Sequence, residues 1–191
     1  MKSKNIFTLS IVIVIMLFIY AFLNIFTPVG EYICNKREEV KYLRELKNNP
    51  NNPENYSKLA IFYWKENNYS KVLESYKKQL TVDTTASAEL YAQISNMFLI
   101  VGSNSLDKPS YRDSAFKYVR KAQMIGDEDP FVLSTIANLY EHLGEDSLAL
   151  ELYKEVLTKF HGDSLMLDSK LFKQDILKNI ENLQKNEKQN N

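Results

Sequence analysis

Cysteine, glycine, proline and histidine are all scarce in this chain, and each scarcity removes a class of function. One cysteine, Cys34, allows neither an intrachain disulfide nor a thiolate metal cluster. Five glycines leave no phosphate-cradling loop, and neither G-x-G-x-x-G nor G-x-x-x-x-G-K-[ST] occurs, which excludes nucleotide enzymes of those two kinds. His142 and His161 are the only histidines, and no H-E-x-x-H, G-x-S-x-G or Cys-His arrangement accompanies them. Charge of one sign is also lacking: 24 Lys and Arg face 24 Asp and Glu over 191 residues. A neutral chain has no field to hold a phosphate backbone, so no nucleic-acid partner is expected. Catalysis has no constellation of groups to run it, and neither a cofactor nor a metal is expected. The acidic clusters Glu38-Glu39 and Asp127-Glu128-Asp129 read as a solvated face and a helix entry, because the calcium-loop spacing is missing.

One long apolar run is present. Residues 6–26 carry no charge, and only Thr8, Ser10 and Asn24 interrupt the apolar side chains. At about 1.5 Å per residue the stretch covers roughly 30 Å, one bilayer core. A cleaved signal peptide is the rival reading, but the run is long for one and its exit, Phe26-Thr27-Pro28-Val29-Gly30, lacks the paired small residues of a cleavage site. The expectation is a single-pass signal anchor, with residues 1–5 cytoplasmic, 6–26 in the membrane and 27–34 a linker. Basic residues stand on both flanks, so their count does not set the orientation. The short N-terminal flank favours an extracytoplasmic C-terminal domain, as at a bacterial inner membrane. Without Lys2 and Lys4, the only charges before residue 27, the remainder carries 22 basic against 24 acidic side chains.

Beyond the linker, prolines and glycines fall where helices start and stop. Asn52-Pro53 and Asp129-Pro130 each put a capping side chain before a proline at the first helical position. Gly102, Gly126, Gly144 and Gly162 each follow an apolar run of helical period. No segment alternates with period two, so the domain reads as all helix.

Those helices repeat. Tyr56, Leu59, Ala60 and Tyr63 recur in spacing as Tyr91, Ile94, Ser95 and Phe98, and again as Leu133, Ile136, Ala137 and Tyr140. Four residues after each set stands Asn67, Gly102 or Gly144, expected to take the left-handed conformation of a tight helix-helix turn. Second helices follow with Val72, Tyr76 and Leu80; Ala115, Val119 and Ala122; and Ala149, Tyr153 and Leu157. This arrangement resembles the tetratricopeptide repeat (TPR) family, whose 34-residue pattern is W-x2-L-G-x2-Y…A-x3-F…P. Val72, Gln79 and Thr84 depart from it in the first unit; Ala137, Tyr140, Gly144, Ala149 and Tyr153 make the third the cleanest.

The resemblance divides the chain into a degenerate half repeat at 35–52, repeats at 53–87, 88–129 and 130–162, a capping helix at 163–184 and a disordered tail at 185–191. Repeat starts at 53, 88 and 130 are 35 and 42 residues apart, and the excess is assigned to an inserted turn at 103–110. The expected fold is therefore all-α: an N-terminal transmembrane helix, then a TPR-type helix-turn-helix solenoid of about three repeats with flanking helices.

The resemblance also implies that the first helix of each pair lines a concave groove. The groove-facing positions are Ser57, Ile61, Trp64 and Lys65; Ala92, Asn96, Leu99 and Ile100; and Phe131, Ser134, Asn138, Glu141 and His142. Chaperone-binding members of the family grip a C-terminal carboxylate with several Lys, Arg and Asn there. Here only Asn96 and Asn138 remain, leaving an apolar groove with two amides that suits an apolar or helical protein segment. The expected function is a membrane-anchored scaffold for a protein or peptide partner, in envelope assembly or secretion. The alternative is a constitutive subunit of a membrane complex or homo-oligomer, with the same apolar positions serving as packing.

Overall fold

A computed structural model of the chain describes residues 16, 35–103, 105–126, 128–160 and 167–190. The expected membrane segment 6–26 lies outside the described residues apart from Met16, as do Cys34, His161, Gly162 and Asp163. No helix among the described residues is long and apolar enough to cross a membrane. The chain divides into two compact units, residues 1–50 and 51–191.

In the first unit the described backbone is one helix, α1, over residues 35–48. The second unit is a succession of helices: α2 (Pro53–Lys65), α3 (Tyr69–Val82), α4 (Ala88–Ser103), α5 (Lys108–Ile125), α6 (Pro130–His142), α7 (Asp146–Lys159) and α8 (Leu167–Asn190). Antiparallel pairing of α2 with α3, α4 with α5 and α6 with α7 builds a helical-repeat solenoid, and no strand occurs among the described residues. Packing of α3 on α4, α4 on α6 and α7 on α8 joins the pairs.

The helix starts follow local chemistry. Asn52 Oδ1 accepts from the Glu54 amide at 3.0 Å and Asp129 Oδ1 from the Phe131 amide at 2.8 Å, each just before a proline at the first helical position. Asn68 caps α3 in the same way, accepting from the Lys71 amide at 3.3 Å.

The first and third pairs turn alike. Asn67 has φ 56° and Gly144 φ 75°. In both turns the left-handed residue donates to the carbonyl three back and its successor to the carbonyl five back: Asn67 to Trp64 and Asn68 to Tyr63, then Gly144 to Glu141 and Glu145 to Tyr140. These are matching Schellman motifs, which satisfy carbonyls that a helix end leaves open.

The second pair corrects the expectation for Gly102. That glycine is not a left-handed stop; it lies inside α4, buried, and the positive-φ glycines are Gly126 and Gly144. A Cβ placed on it would stand 2.4 Å from Tyr111 Cβ, so its role is close approach between helices. Of the extra residues at 103–110, Ser103 and residues 108–110 are helical. α4 continues to Ser103 and α5 begins at Lys108, so the pair is a long hairpin with a short connection. At the other end of the array α8 continues to Asn190, through the stretch expected to be a disordered tail.

The core lies where the repeated stripe placed it. Leu59, Ala60 and Tyr63 are buried on α2, Ile94 and Ser95 on α4, and Leu133, Ile136, Ala137 and Tyr140 on α6. Across from them Val72, Ala115, Val119, Ala122, Ala149, Tyr153 and Val156 are also buried. Ser95, in the small-residue position, donates to the Ala115 carbonyl at 2.8 Å and so meets the small residue of the paired helix. Ile176 and Leu183 carry α8 into the same core, with Phe172 and Ile180 packed beside them.

Candidate functional site

The positions expected to line a groove do not share one environment. On α2, Ile61 (55% exposed) and Trp64 (45%) are the large apolar side chains open to solvent, and Lys65 is exposed beside them. The Trp64 ring meets Tyr69 edge to face at 5.4 Å between centroids, which holds it against the first turn of α3. Ser57 faces its helix partner instead, donating to Gln79 Oε1 on α3 at 2.9 Å.

On α4, Asn96, Leu99 and Ile100 are half-buried, whereas Ala92 is a core residue and not a groove-lining one. Its small side chain sits one helical step off the stripe, where α4 is enclosed. Ile100 and Val101 form one wall of an open depression of about 370 Å³, whose other wall is the turn Glu66 to Ser70. Leu99 joins Phe98, Gly102, Ser103, Lys108, Pro109, Tyr111 and Arg112 around a second, of about 330 Å³. The lengthened α4–α5 hairpin builds both.

The α6 positions are drawn toward α7 and α8. Phe131 is 57% exposed, yet its ring stands 4.5 Å from Phe172 and 6.3 Å from Phe160 between centroids. Glu141 is half-buried and accepts from the Tyr153 hydroxyl at 3.0 Å. Burial, then the neighbouring Glu141 carboxylate, pushes the Tyr153 hydroxyl up to about 12, while hydrogen bonds with Asn138 and Asn179 act in the other direction. Asn138 itself is exposed. Ser134 turns back to the Phe131 carbonyl at 2.9 Å, and His142 is exposed in the last turn of α6.

Of the expected groove positions, the large apolar side chains open to solvent are Ile61 and Trp64 on α2 and Phe131 on α6; Leu106, Met124, Ile125, Leu171 and Leu177 are exposed elsewhere in the second unit. Residue-by-residue reading missed Tyr69, Val101, Tyr111 and Arg112. The excess length between repeats was the available signal, but it does not say that Ser103 and residues 108–110 are taken up into helices. Arg112 Nη2 donates to the carbonyl of Leu143, the C-cap of α6, and so ties the hairpin to the next repeat's turn. Among the described residues no three His, Cys, Asp or Glu side chains converge where a metal ion could sit.

No family model matches the sequence. No curated protein matches it either. Solved structures do resemble the chain. One crystal structure of MamA has a TM-score of 0.53 at 20% identity, covering 88% of this chain and 91% of that one. Another has 0.50 at 22%, covering 78% and 86%. YrrB, described as a TPR protein with an unusual peptide-binding site, has 0.52 at 16%, covering 86% and 84%. The fold is that of a TPR protein. At these identities the likeness is one of fold; among the first helices of the pairs, α4 packs on α6.

Proposed function

We propose that this chain is a membrane-anchored adaptor whose TPR-type array binds a segment of a protein partner along α2 and α4. The observation that carries the reading is the exposure of Ile61 and Trp64 on α2, with the Trp64 ring against Tyr69, which lines a depression together with Ile100 and Val101. Large apolar side chains next to a concavity are what an apolar or helical segment needs, and covering the exposed half of each contributes about 1 kcal/mol. Asn96, half-buried on the same helix, supplies an amide for the segment's backbone. The peptide-binding site named for the structurally similar YrrB supports the same use of the fold.

The anchor is residues 6–26, read from their length and lack of charge, with the array outside the cytoplasm and the partner engaged in envelope assembly or secretion. A photocrosslinking amino acid at Asn96, irradiated in intact cells, tests the adaptor reading. Lys117 and Lys154, exposed on α5 and α7, serve as control sites. A discrete foreign protein captured at Asn96 and not at the controls is the expected result. Self-adducts alone would replace the adaptor with a constitutive subunit of an oligomer. Protease protection of residues 35–184 in spheroplasts, with cleavage only after the inner membrane is opened, would overturn the extracytoplasmic placement.

A further inference from the structure

α1 sorts its side chains by charge and burial. At about 100° per residue, Arg37, Lys41 and Arg44 fall within an arc of roughly 60°. Lys36, Val40, Leu43 and Lys47 widen it to roughly 160°, and every one of these seven is exposed. The opposite arc holds Glu38, Glu39, Tyr42, Glu45 and Leu46, all half-buried. Tyr42 donates to Glu38 at 2.7 Å, which, as the largest cause, raises the hydroxyl's pKa, and Lys36 bridges to Glu39 at 2.9 Å. The acids are turned in and the cations out. Like charges three and four residues apart repel along the exposed arc. Val40 (46% exposed) and Leu43 (45%) lie among them.

This is the pattern of a helix lying in a bilayer interface. Aliphatic side chains enter the headgroup layer, and the long arms of Lys and Arg reach outward to phosphate and carboxylate groups. Position agrees with pattern. Residues 27–34 separate Phe26 from the start of α1, so at most about 30 Å of chain parts the helix from the end of the apolar segment. We propose that the Arg37, Lys41 and Arg44 face of α1 docks on anionic headgroups of the bilayer that holds residues 6–26. This rests on the anchor proposed above.

The test uses the full chain with Cys34→Ser and Val40→Cys, a fluorophore on position 40, and acrylamide as an uncharged aqueous quencher. The chain is placed in nanodiscs of phosphatidylcholine alone or with a third of phosphatidylserine. Docking predicts protection of the label on the anionic discs, exposure on the zwitterionic ones, and loss of protection near 0.5 M salt, where screening shortens to a few ångströms. Each cation contributes about five-fold to partitioning at an anionic surface, so Arg37→Gln, Lys41→Gln and Arg44→Gln together are expected to lower the docking equilibrium constant by about a hundred-fold. Arg37→Lys with Arg44→Lys keeps the charge and should retain protection. Equal quenching on both lipid compositions, or protection that survives the three Gln substitutions, overturns the docking. Flotation with phosphatidylcholine vesicles reads the anchor separately: a chain that fails to float loses both the anchor and the tether on which docking depends.

Discussion

Gly102 and Tyr111 meet where no side chain fits between their backbones: a Cβ on Gly102 would stand 2.4 Å from the Tyr111 Cβ and 3.0 Å from its Cγ. The neighbour is the root of a side chain, not its flexible tip, so neither helix can yield locally. Gly102→Ala is expected to destabilise the fold by about 2–3 kcal/mol through overpacking. Gly126→Ala is the contrast. Its φ of 73° with ψ 160° is a conformation essentially reserved for glycine, so backbone strain of about 1–3 kcal/mol is expected although nothing lies near its Cβ direction. Urea denaturation reads both losses, and a Gly102→Ala variant as stable as the parent would remove close packing as the reason for Gly102.

Arg112 acts on a different repeat from its own. Its guanidinium donates to the Leu143 carbonyl, beside the left-handed Gly144. Arg112→Gln should cost about 1 kcal/mol, at the low end for a charged donor because the side chain is exposed. The loss should be local. Amide hydrogen exchange is expected to accelerate at Gly144 and Glu145, whose N–H groups close the Schellman turn, before it accelerates in α2 and α3.

Ser95 is fully buried and donates to the Ala115 carbonyl at 2.8 Å. Ala60 and Ala137 hold the matching places in the other repeats, so the site tolerates a methyl. Ser95→Ala should lose about 1 kcal/mol with the hydrogen bond, whereas Ser95→Leu should lose about 3 kcal/mol or more by forcing α4 and α5 apart. Near-equal thermal midpoints for the two variants would show that the small-residue contact does not limit the spacing of the pair.

Tyr153 makes the fold sensitive to alkali. Its native pKa is pushed up to about 12, against about 10 in an unfolded chain, so the folded state holds its proton longer. Stability from this group is therefore complete below pH 10 and falls as pH rises from about 10 to about 12. Tyr153→Phe removes the titration and should flatten the stability-pH curve in that window, at the expense of the hydrogen bond to Glu141 at neutral pH. Ultraviolet titration should show one late-ionising phenol that is missing from the variant. Burial also raises Tyr140 and Tyr118, so some alkaline sensitivity should persist.

The groove positions show where local reading stops. Ile61 and Trp64 are exposed as the repeat register implies, because on α2 a single step off the core stripe decides the side that a residue faces. Phe131 and Glu141 occupy the same register on α6, yet Phe131 packs on Phe172 of α8 and Glu141 accepts from Tyr153 of α7. The sequence contains those partners, Phe172 and Tyr153, but no local rule pairs them.

By itself the sequence determined the helices, their caps and the buried stripe. Asn52 and Asp129 bond amides two residues away, and Leu59, Ile94 and Ile136 recur at the helical period; both are short-range effects of a single backbone geometry. Only the tertiary structure decided that Gly102 is a contact and not a turn, that Ser103 and residues 108–110 extend two helices, and that Arg112 closes a turn in the next repeat. Each depends on how near a second helix comes. That distance is set by side-chain volumes packed across the whole array, which spacing along one helix does not encode.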